Sequence, residues 1–517
     1  MLFNSHIFIF IFLPVVFVGF FLLARVGAFF AASWLTLASF FFYGWWSPKY
    51  VLLLLLSIAF NFLASRAMDR FPVGQADRAR RHVLIGALIA NLALLAYYKY
   101  ANFFLDNLAL VDPQWRFAVD VTLPLGISFF TFTQIAFLVD AYRGRSSEPS
   151  FVHYCLFVTY FPHLIAGPVL HHSEMMPQFR ERITYRLSSL NVSVGLTIFA
   201  IGLFKKVVIA DSLAPYANAV FDGGAAHPPT FLEAWAGALA YTFQLYFDFS
   251  GYSDMAIGLS RMFNVTLPLN FNSPYRAANI IDFWRRWHMT LSRFLRDYVY
   301  IPLGGSRRGS HRRYVNLMLT MVLGGMWHGA GWTFIVWGGL HGIYLVINHA
   351  WRWLWSGFGR PGLVSPGAGR LLGRLLTFLA VVVGWVFFRS DSMATAVSML
   401  DGMAGLNGVV LQDGWQGRLG ALDAAVAHAG VTFGDLRALD SVRILGFLVM
   451  LAVVCVYWPN TQELLARFRP ALDYRPEPRP VEVVWSPNWA WGAATGLLLT
   501  AGALLISRQS EFLYFQF

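Results

Sequence analysis

The sequence predicts an all-α polytopic membrane protein, and three observations carry that prediction. Of its 517 residues, 57% are hydrophobic and only 13% are charged. A soluble domain carries about 25% charged residues, so this chain has too little polar surface to clothe a water-facing body of its size. Apolar residues also come in long runs, such as YVLLLLLSIAFNFLA at 50–64, whereas a membrane β-barrel would show alternating segments of about ten residues. Finally, 48 Phe and 19 Trp suit broad lipid-facing and interfacial belts.

A helix needs about twenty apolar residues to cross the hydrocarbon core. Spans are predicted over 6–24, 28–46, 49–66, 82–99, 117–140, 188–210, 231–260, 313–330, 332–350, 372–388, 441–459 and 488–507. The opening MLFNSHIFIFIFLPVVFVGFFLLARVG lacks the basic start and small-residue cleavage site of a signal peptide, so it reads as a retained first span. Two further stretches, 151–170 and 277–303, are apolar or amphipathic but interrupted. YFPHLIAGPV (160–169) carries two prolines, and NIIDFWRRWHMTLSRFLRDYVYIPLGG (279–305) mixes aromatic residues with arginines. Such segments are expected to be re-entrant or interfacial, tolerated where they line protein and not lipid.

Arginine counting sets the orientation. Segment 66–82 holds five Arg against two Asp, 261–313 holds ten Arg against two acids, and 352–374 holds four Arg and no acid. With 141–147, which carries Arg143 and Arg145, these are placed in the cytoplasm by the positive-inside rule. Segment 389–440 has three Arg against six Asp and is expected outside, as are both termini and the loop 211–230. The net charge of +12 is thus accounted for by inter-span loops, and no nucleic-acid partner is expected. Cys155 and Cys455 lie in apolar runs and read as buried small hydrophobes, with neither a disulfide nor a thiolate metal site. No internal duplication is visible. GRPGLVSPGAGR (359–370) joins spans, and residues 1–517 read as a single membrane domain.

Chemistry points to two histidines. His328 sits in MVLGGMWHGAGWTFIVWGG (321–339), which has no formal charge. A polar, ionisable residue inside a membrane is a functional candidate. An apolar surround disfavours the charged imidazolium, leaving a neutral ring able to take a proton, as a general base must. The competing reading is a histidine bonded to a neighbouring carbonyl, with Gly324, Gly325, Gly329 and Gly331 serving helix packing alone. Trp327 and Trp332 would wall a dry cavity or sit at the interface, and the glycines predict a broken helix near His328. His288 is the second candidate. In helical geometry it shares a face with Trp284 at i,i+4, while Asp282 pairs with Arg286 and Arg293 with Asp297. The arginines here, Arg285 among them, could hold phosphate groups or anchor lipid headgroups. Asp248 and Asp254, in YTFQLYFDFSGYSDMAIGLSRMFN (241–264), need partners in an apolar span. Pairing with arginines of 276–296, orienting a histidine and carrying a coupling proton all remain open. No P-loop, GxGxxG, HExxH, CxxC or GxSxG motif occurs, and no metal site is expected.

The motifs reach further. LNFNSPYRAANIIDFWRRWHMTLSRFLRDYVYIPLGG followed by MVLGGMWHGAGWTFIVWGGLHG resembles the signature of membrane-bound O-acyltransferases. More narrowly, these stretches with YFPHLIAGPVLHHSEMMPQF, YFDFSGYSDMAIG and FLYFQF resemble the bacterial alginate O-acetyltransferase branch. D-alanyl transferases of teichoic acid synthesis look similar around both histidines. The resemblance implies a ring of about 11–13 transmembrane helices, with re-entrant or interfacial helices, around a central tunnel. It implies that His328 is the essential residue and His288 a second functional one, with Trp327, Trp284, Asp282, Arg285, Asp248 and Asp254 as supporting or substrate-binding candidates. It also implies an acetyl transfer across the bacterial inner membrane. The donor would be acetyl-CoA used as substrate, with no bound cofactor, and the acceptor an exopolysaccharide, alginate first and cellulose or peptidoglycan as alternatives. Partners would be a periplasmic SGNH-hydrolase-like acetyltransferase and the polysaccharide secretion machinery, with 389–440 as a docking surface. A transporter or a non-catalytic scaffold of a secretion complex are the competing functions.

Overall fold

The computed structural model describes all residues except 72–76, 116–118, 120, 166, 224–225, 358–365, 419, 421–423, 425–427, 429, 437–441, 473, 475–482, 507–512 and 514–517. The helices in chain order are α1 (Phe8–Ala24), α2 (Ala28–Gly44), α3 (Lys49–Asp69), α4 (Arg78–Val111), α5 (Ile127–Tyr142), α6 (Phe151–Thr159), α7 (Ser189–Phe221) and α8 (Phe231–Met262). They continue as α9 (Ile280–Trp284), α10 (Met289–Leu295), α11 (Gly309–His328), α12 (Trp332–Gly357), α13 (Pro366–Arg389), α14 (Met393–Met403), α15 (Val442–Tyr457) and α16 (Trp489–Leu505). Helix starts follow side-chain chemistry. Ser150, Ser188, Ser392 and Asn488 each accept an amide hydrogen bond from the residue three further on, which satisfies one of the first-turn donors of α6, α7, α14 and α16.

Among the described residues, four helical stretches, in α3, α4, α7 and α13, are long and apolar enough to cross a membrane, and α1, α2, α5, α15 and α16 are shorter apolar helices. The chain is an all-α polytopic membrane protein, as predicted. Two predicted elements are displaced. The span expected at 117–140 becomes helical only at Ile127, after Pro124 and after Gly126 at φ +70°, because proline disfavours helix in the residue before it and lacks an N–H donor. The loop expected at 211–230 is instead helical as far as Phe221. α7 runs on through a π-helical stretch, Phe204–Ala210, and carries Pro215 inside it. The interrupted reading of 151–170 holds. α6 stops at Thr159, and a four-residue turn of helix, Phe161–Leu164, follows with Pro162 in its first turn. Within 389–440, α14 is followed by two short parallel strands, β1 (Val410–Gln412) and β2 (Thr432–Gly434), an element no periodicity announced. Parts of that segment lie outside the described residues.

The chain divides into two compact units. The first comprises Met1–Phe204, Ser250–Asn270 and Thr461–Gln509. Its centre is aromatic: Phe3, Phe8, Phe42 and Phe161 are buried against one another. Glycine sets its closest helix approach, because a Cβ on Gly195 of α7 would stand 2.5 Å from the Gly258 carbonyl of α8. Buried Arg80 donates to the carbonyls of Met68, Phe71, Ala141 and Tyr142 at 2.8–3.0 Å, so an arginine of the basic 66–82 segment staples three segments. In the connection after α5, Glu148 is almost fully buried. His172 Nε2 lies 3.2 Å from it, Arg180 Nη2 3.3 Å and His153 Nδ1 3.7 Å. Burial opposes the charge of Glu148, but His153, His172 and the Ser150 amide outweigh it and hold the carboxyl well below the usual carboxylate range. The second unit comprises Lys205–Phe249, Phe271–Asn460 and Ser510–Phe517 and has its own core. It contains both candidate histidines.

Candidate functional site

The site is built on the hairpin of α11 and α12. α11 ends at His328, Gly329 is extended (φ −160°, ψ 152°), and α12 begins at Trp332, so the predicted break falls where the glycines gather. Small residues let the two helices touch through their backbones. A Cβ on Gly325 would stand 2.3 Å from the Phe334 carbonyl oxygen, and one on Gly338 2.4 Å from that of Met321. A Cβ on Gly329 would lie 2.1 Å from the Phe334 ring. The glycines therefore do serve packing, and the packing fixes the end of α11 where His328 sits.

His288 reaches the same place by a different route. The stretch 277–303 is interrupted, as expected, and one interruption falls between Trp284 and His288. α9 ends at Trp284, and α10 starts at Met289 with His288 at its N-terminus in the left-handed conformation (φ 42°, ψ 52°). That conformation costs an L-residue on the order of 1–2 kcal/mol, and such outliers mark places where function is worth looking for. The break also undoes the i,i+4 pairing of Trp284 with His288. Trp284 packs on Trp337 and His341 at 5.9 and 5.2 Å between ring centroids, while His288 packs on Phe249 and Trp327 at 4.8 and 6.0 Å.

The result is a pair. The rings of His288 and His328 lie 6.1 Å apart at 61°, with 0% and 6% of their surface exposed. An imidazole nitrogen lies about 1.1 Å from its ring centre, so nitrogens of the two rings come no closer than about 3.9 Å, beyond direct hydrogen bonding. One small group between them can be reached by both. The walls are aromatic. Trp327, Trp337 and Phe388 stand 4.9, 5.2 and 5.2 Å from His328, and Phe271 flanks His288 at 6.4 Å. Trp327 is a wall, as one reading had it, whereas Trp332 is exposed. Trp337, Phe388, Phe249 and Phe271 were not singled out from sequence. Trp337 did carry a signal, since it lies four residues before His341 in an uncharged run.

The other candidates are dispersed. Asp282 is at α9 and pairs with Arg286 at 2.9 Å, as expected, while Asp282 N bonds the side chain of Asn279. Asp297 pairs with its neighbour Arg296 at 2.7 Å, at the start of a π-helical stretch, Arg296–Tyr300. Arg285 is exposed. Asp248 is buried against Lys206 at 2.6 Å, and Lys206 lies equally close to Asp211. Of the roles left open for Asp248, ion pairing is present, but with a lysine from α7, concealed in an apolar run, and not with an arginine of 276–296. Asp254 belongs to the first unit, where Thr461 Oγ1 donates to it at 2.6 Å and Gln462 Nε2 at 3.0 Å. Among the described residues, no three His, Cys, Asp or Glu side chains gather as a metal-ion ligand set.

The model of MBOAT, the membrane-bound O-acyltransferase family, matches residues 17–359. A peptidoglycan O-acetyltransferase of Helicobacter pylori is 48% identical over 80% of this chain and 81% of its own. A probable alginate O-acetylase AlgI of Azotobacter vinelandii is 39% identical over 100% of both chains. A teichoic acid D-alanyltransferase of Streptococcus thermophilus is 31% identical over 44% of this chain and 57% of its own.

Proposed function

The chain belongs to the membrane-bound O-acyltransferase family, and from that premise we propose that it takes acetyl from cytoplasmic acetyl-CoA and passes it across the membrane for O-acetylation of a glycan. The observation that carries this reading is the buried His288–His328 pair, with rings 6.1 Å apart inside aromatic walls. His328 acts as general base or as nucleophile. As base, it takes the proton of the attacking hydroxyl while that oxygen bonds to the thioester carbonyl carbon. The tetrahedral oxyanion then collapses, the carbon–sulfur bond breaks, and the proton returns to the leaving thiolate. As nucleophile, its nitrogen carries the acetyl between the two half-reactions. His288, held in its left-handed turn, positions the donor or the acceptor. The uncharged walls exclude water and strengthen every hydrogen bond made to the oxyanion.

The basic segment 261–313 and Arg285 face the phosphates of coenzyme A on the cytoplasmic side. The membrane is the bacterial inner membrane, with both termini periplasmic, and a tunnel through the helices joins the two faces at His328. A periplasmic SGNH-hydrolase-like acetyltransferase receives the group, working with the secretion machinery of the polysaccharide. Alginate is the acceptor supported by full-length similarity to the Azotobacter vinelandii relative. Peptidoglycan is the second reading, favoured by 48% identity to the Helicobacter pylori relative. Glycans isolated from a deletion strain decide between them: the acceptor is the polymer that loses ester-linked acetyl and regains it on complementation. A strain whose glycans all keep their acetyl contradicts the proposal.

A further inference from the structure

Among the described residues of the second unit, His341 is a third buried histidine, with no part in the chemistry above. It lies on α12, one turn after Trp337, with 0% of its surface exposed. Its ring neighbours are Trp337 at 4.9 Å, Trp284 at 5.2 Å, Tyr344 at 5.6 Å, and Phe283 and Trp385 at 6.2 Å. Neither Nδ1 nor Nε2 has a hydrogen-bond partner among the described residues, and the same holds for the indole nitrogens of Trp284 and Trp337. On α13, a Cβ on Gly384 would stand 3.0 Å from His341 Nε2, so this nitrogen packs close against α13 and only glycine leaves it room.

Buried polar atoms are rarely left without a partner, because losing water without replacing it is costly. A histidine kept for packing alone is better served by phenylalanine, which carries no polar atoms to bury. Four polar nitrogens on three touching rings therefore point to a ligand. The ring neighbours of His341 carry no charge, so phosphates and uronates would be stranded there. The site suits a neutral group that both accepts hydrogen bonds from N–H donors and donates one to an imidazole nitrogen. An amide does both. The position fits as well, since Trp337 touches His341 on one side and His328, at 5.2 Å, on the other.

We propose that His341, with the indole N–H groups of Trp284 and Trp337, is a hydrogen-bonding subsite for the amide-bearing arm of the acyl thioester donor. This rests on the thioester-donor reading above. The subsite holds the arm one indole away from the reacting pair and carries no charge of its own.

The test uses the purified full chain in nanodiscs, with acetyl-CoA as donor and two inhibitors that divide it. Pantetheine carries the amides, and adenosine 3′,5′-bisphosphate carries the charged end. His341→Phe is expected to raise the KM for acetyl-CoA and the inhibition constant of pantetheine about tenfold, the loss of about one hydrogen bond. Its kcat stays within about threefold of wild type, and the inhibition constant of the bisphosphate is unchanged. His341→Gln, which can still bond an amide, recovers part of the loss. Trp284→Phe removes one donor, shifts the same two constants, and carries the test if His341→Phe does not accumulate. The subsite is overturned if pantetheine fails to inhibit wild type, if both inhibitors shift together, or if kcat alone changes. Wild-type protein that consumes no acetyl-CoA defeats the donor reading itself, and the subsite with it.

Discussion

Replacing Gly325 with alanine should disable the enzyme without unfolding it. The added Cβ would stand 2.3 Å from the Phe334 carbonyl oxygen, where ordinary contact begins at 3.4 Å. The obstacle is helix backbone, which cannot rotate away as a side chain can, so α11 and α12 must separate by about 1 Å at this level. His328 lies three residues further along α11 and moves with it. A reacting group displaced by about 1 Å loses on the order of 10²-fold in rate, or about 2.7 kcal/mol of transition-state stabilisation. The assay is acetyl transfer per molecule of protein, at matched membrane abundance and with an unchanged size-exclusion profile. Gly339→Ala is the control. It lies in the same hairpin with nothing within 4 Å of its Cβ, so it should keep wild-type turnover and gain about 0.5–1 kcal/mol of helix stability. Wild-type turnover in Gly325→Ala would refute the claim that this close backbone contact places His328.

Three further predictions follow from the geometry. Both His288→Ala and His288→Gly should lose acetyl transfer. The glycine variant should melt higher than the alanine variant by about 0.5–1 kcal/mol, because it alone adopts the left-handed turn without strain, and equal melting would argue that the turn relaxes. Lys206→Met should deplete the protein from membranes, since it leaves Asp211 and Asp248 buried without their cation at a cost of about 3–5 kcal/mol. Asp248→Asn keeps the Lys206–Asp211 pair and should accumulate nearly normally, and equal depletion of the two would assign Asp248 another role. Glu148 has a folded pKa far below its unfolded one. Its stabilisation is therefore complete above the unfolded value of about 4.3 and is lost as pH falls from there toward the folded value. The melting-temperature deficit of Glu148→Gln should be full at pH 7 and should shrink below about pH 4.5. A deficit independent of pH would mean that charge is not what Glu148 contributes.

Composition and run length made the membrane class legible, because both count surface and need no neighbours. His328 was legible for a similar reason: a polar group in an uncharged span stands out, and the glycines around it announced the break. His288 was singled out and lies beside His328, yet the helical face it was expected to share with Trp284 is broken. Nothing in FWRRWH states that one residue turns left-handed, and that turn sends the two side chains to different neighbours. Lys206 was hidden because it sits in an apolar run and its partners Asp211 and Asp248 lie 5 and 42 positions away. Apart from Trp327, the aromatic walls of the histidine pair come from α8, α12 and α13 and from the segment before α9. Among 48 Phe and 19 Trp, spacing alone does not choose Phe249, Phe271, Trp337 and Phe388.

The central claim is that acyl transfer happens at the buried histidine pair. The most direct measurement is the rate of acetyl-CoA consumption by purified wild type, His328→Ala and His328→Gln with a glycan hydroxyl or water as acceptor. All three should be compared at equal folded concentration, with circular dichroism and size-exclusion profiles matched. Loss of at least about a thousandfold in both variants, with the fold intact, is the predicted result. Turnover within tenfold of wild type in either variant would contradict it and move the chemistry elsewhere.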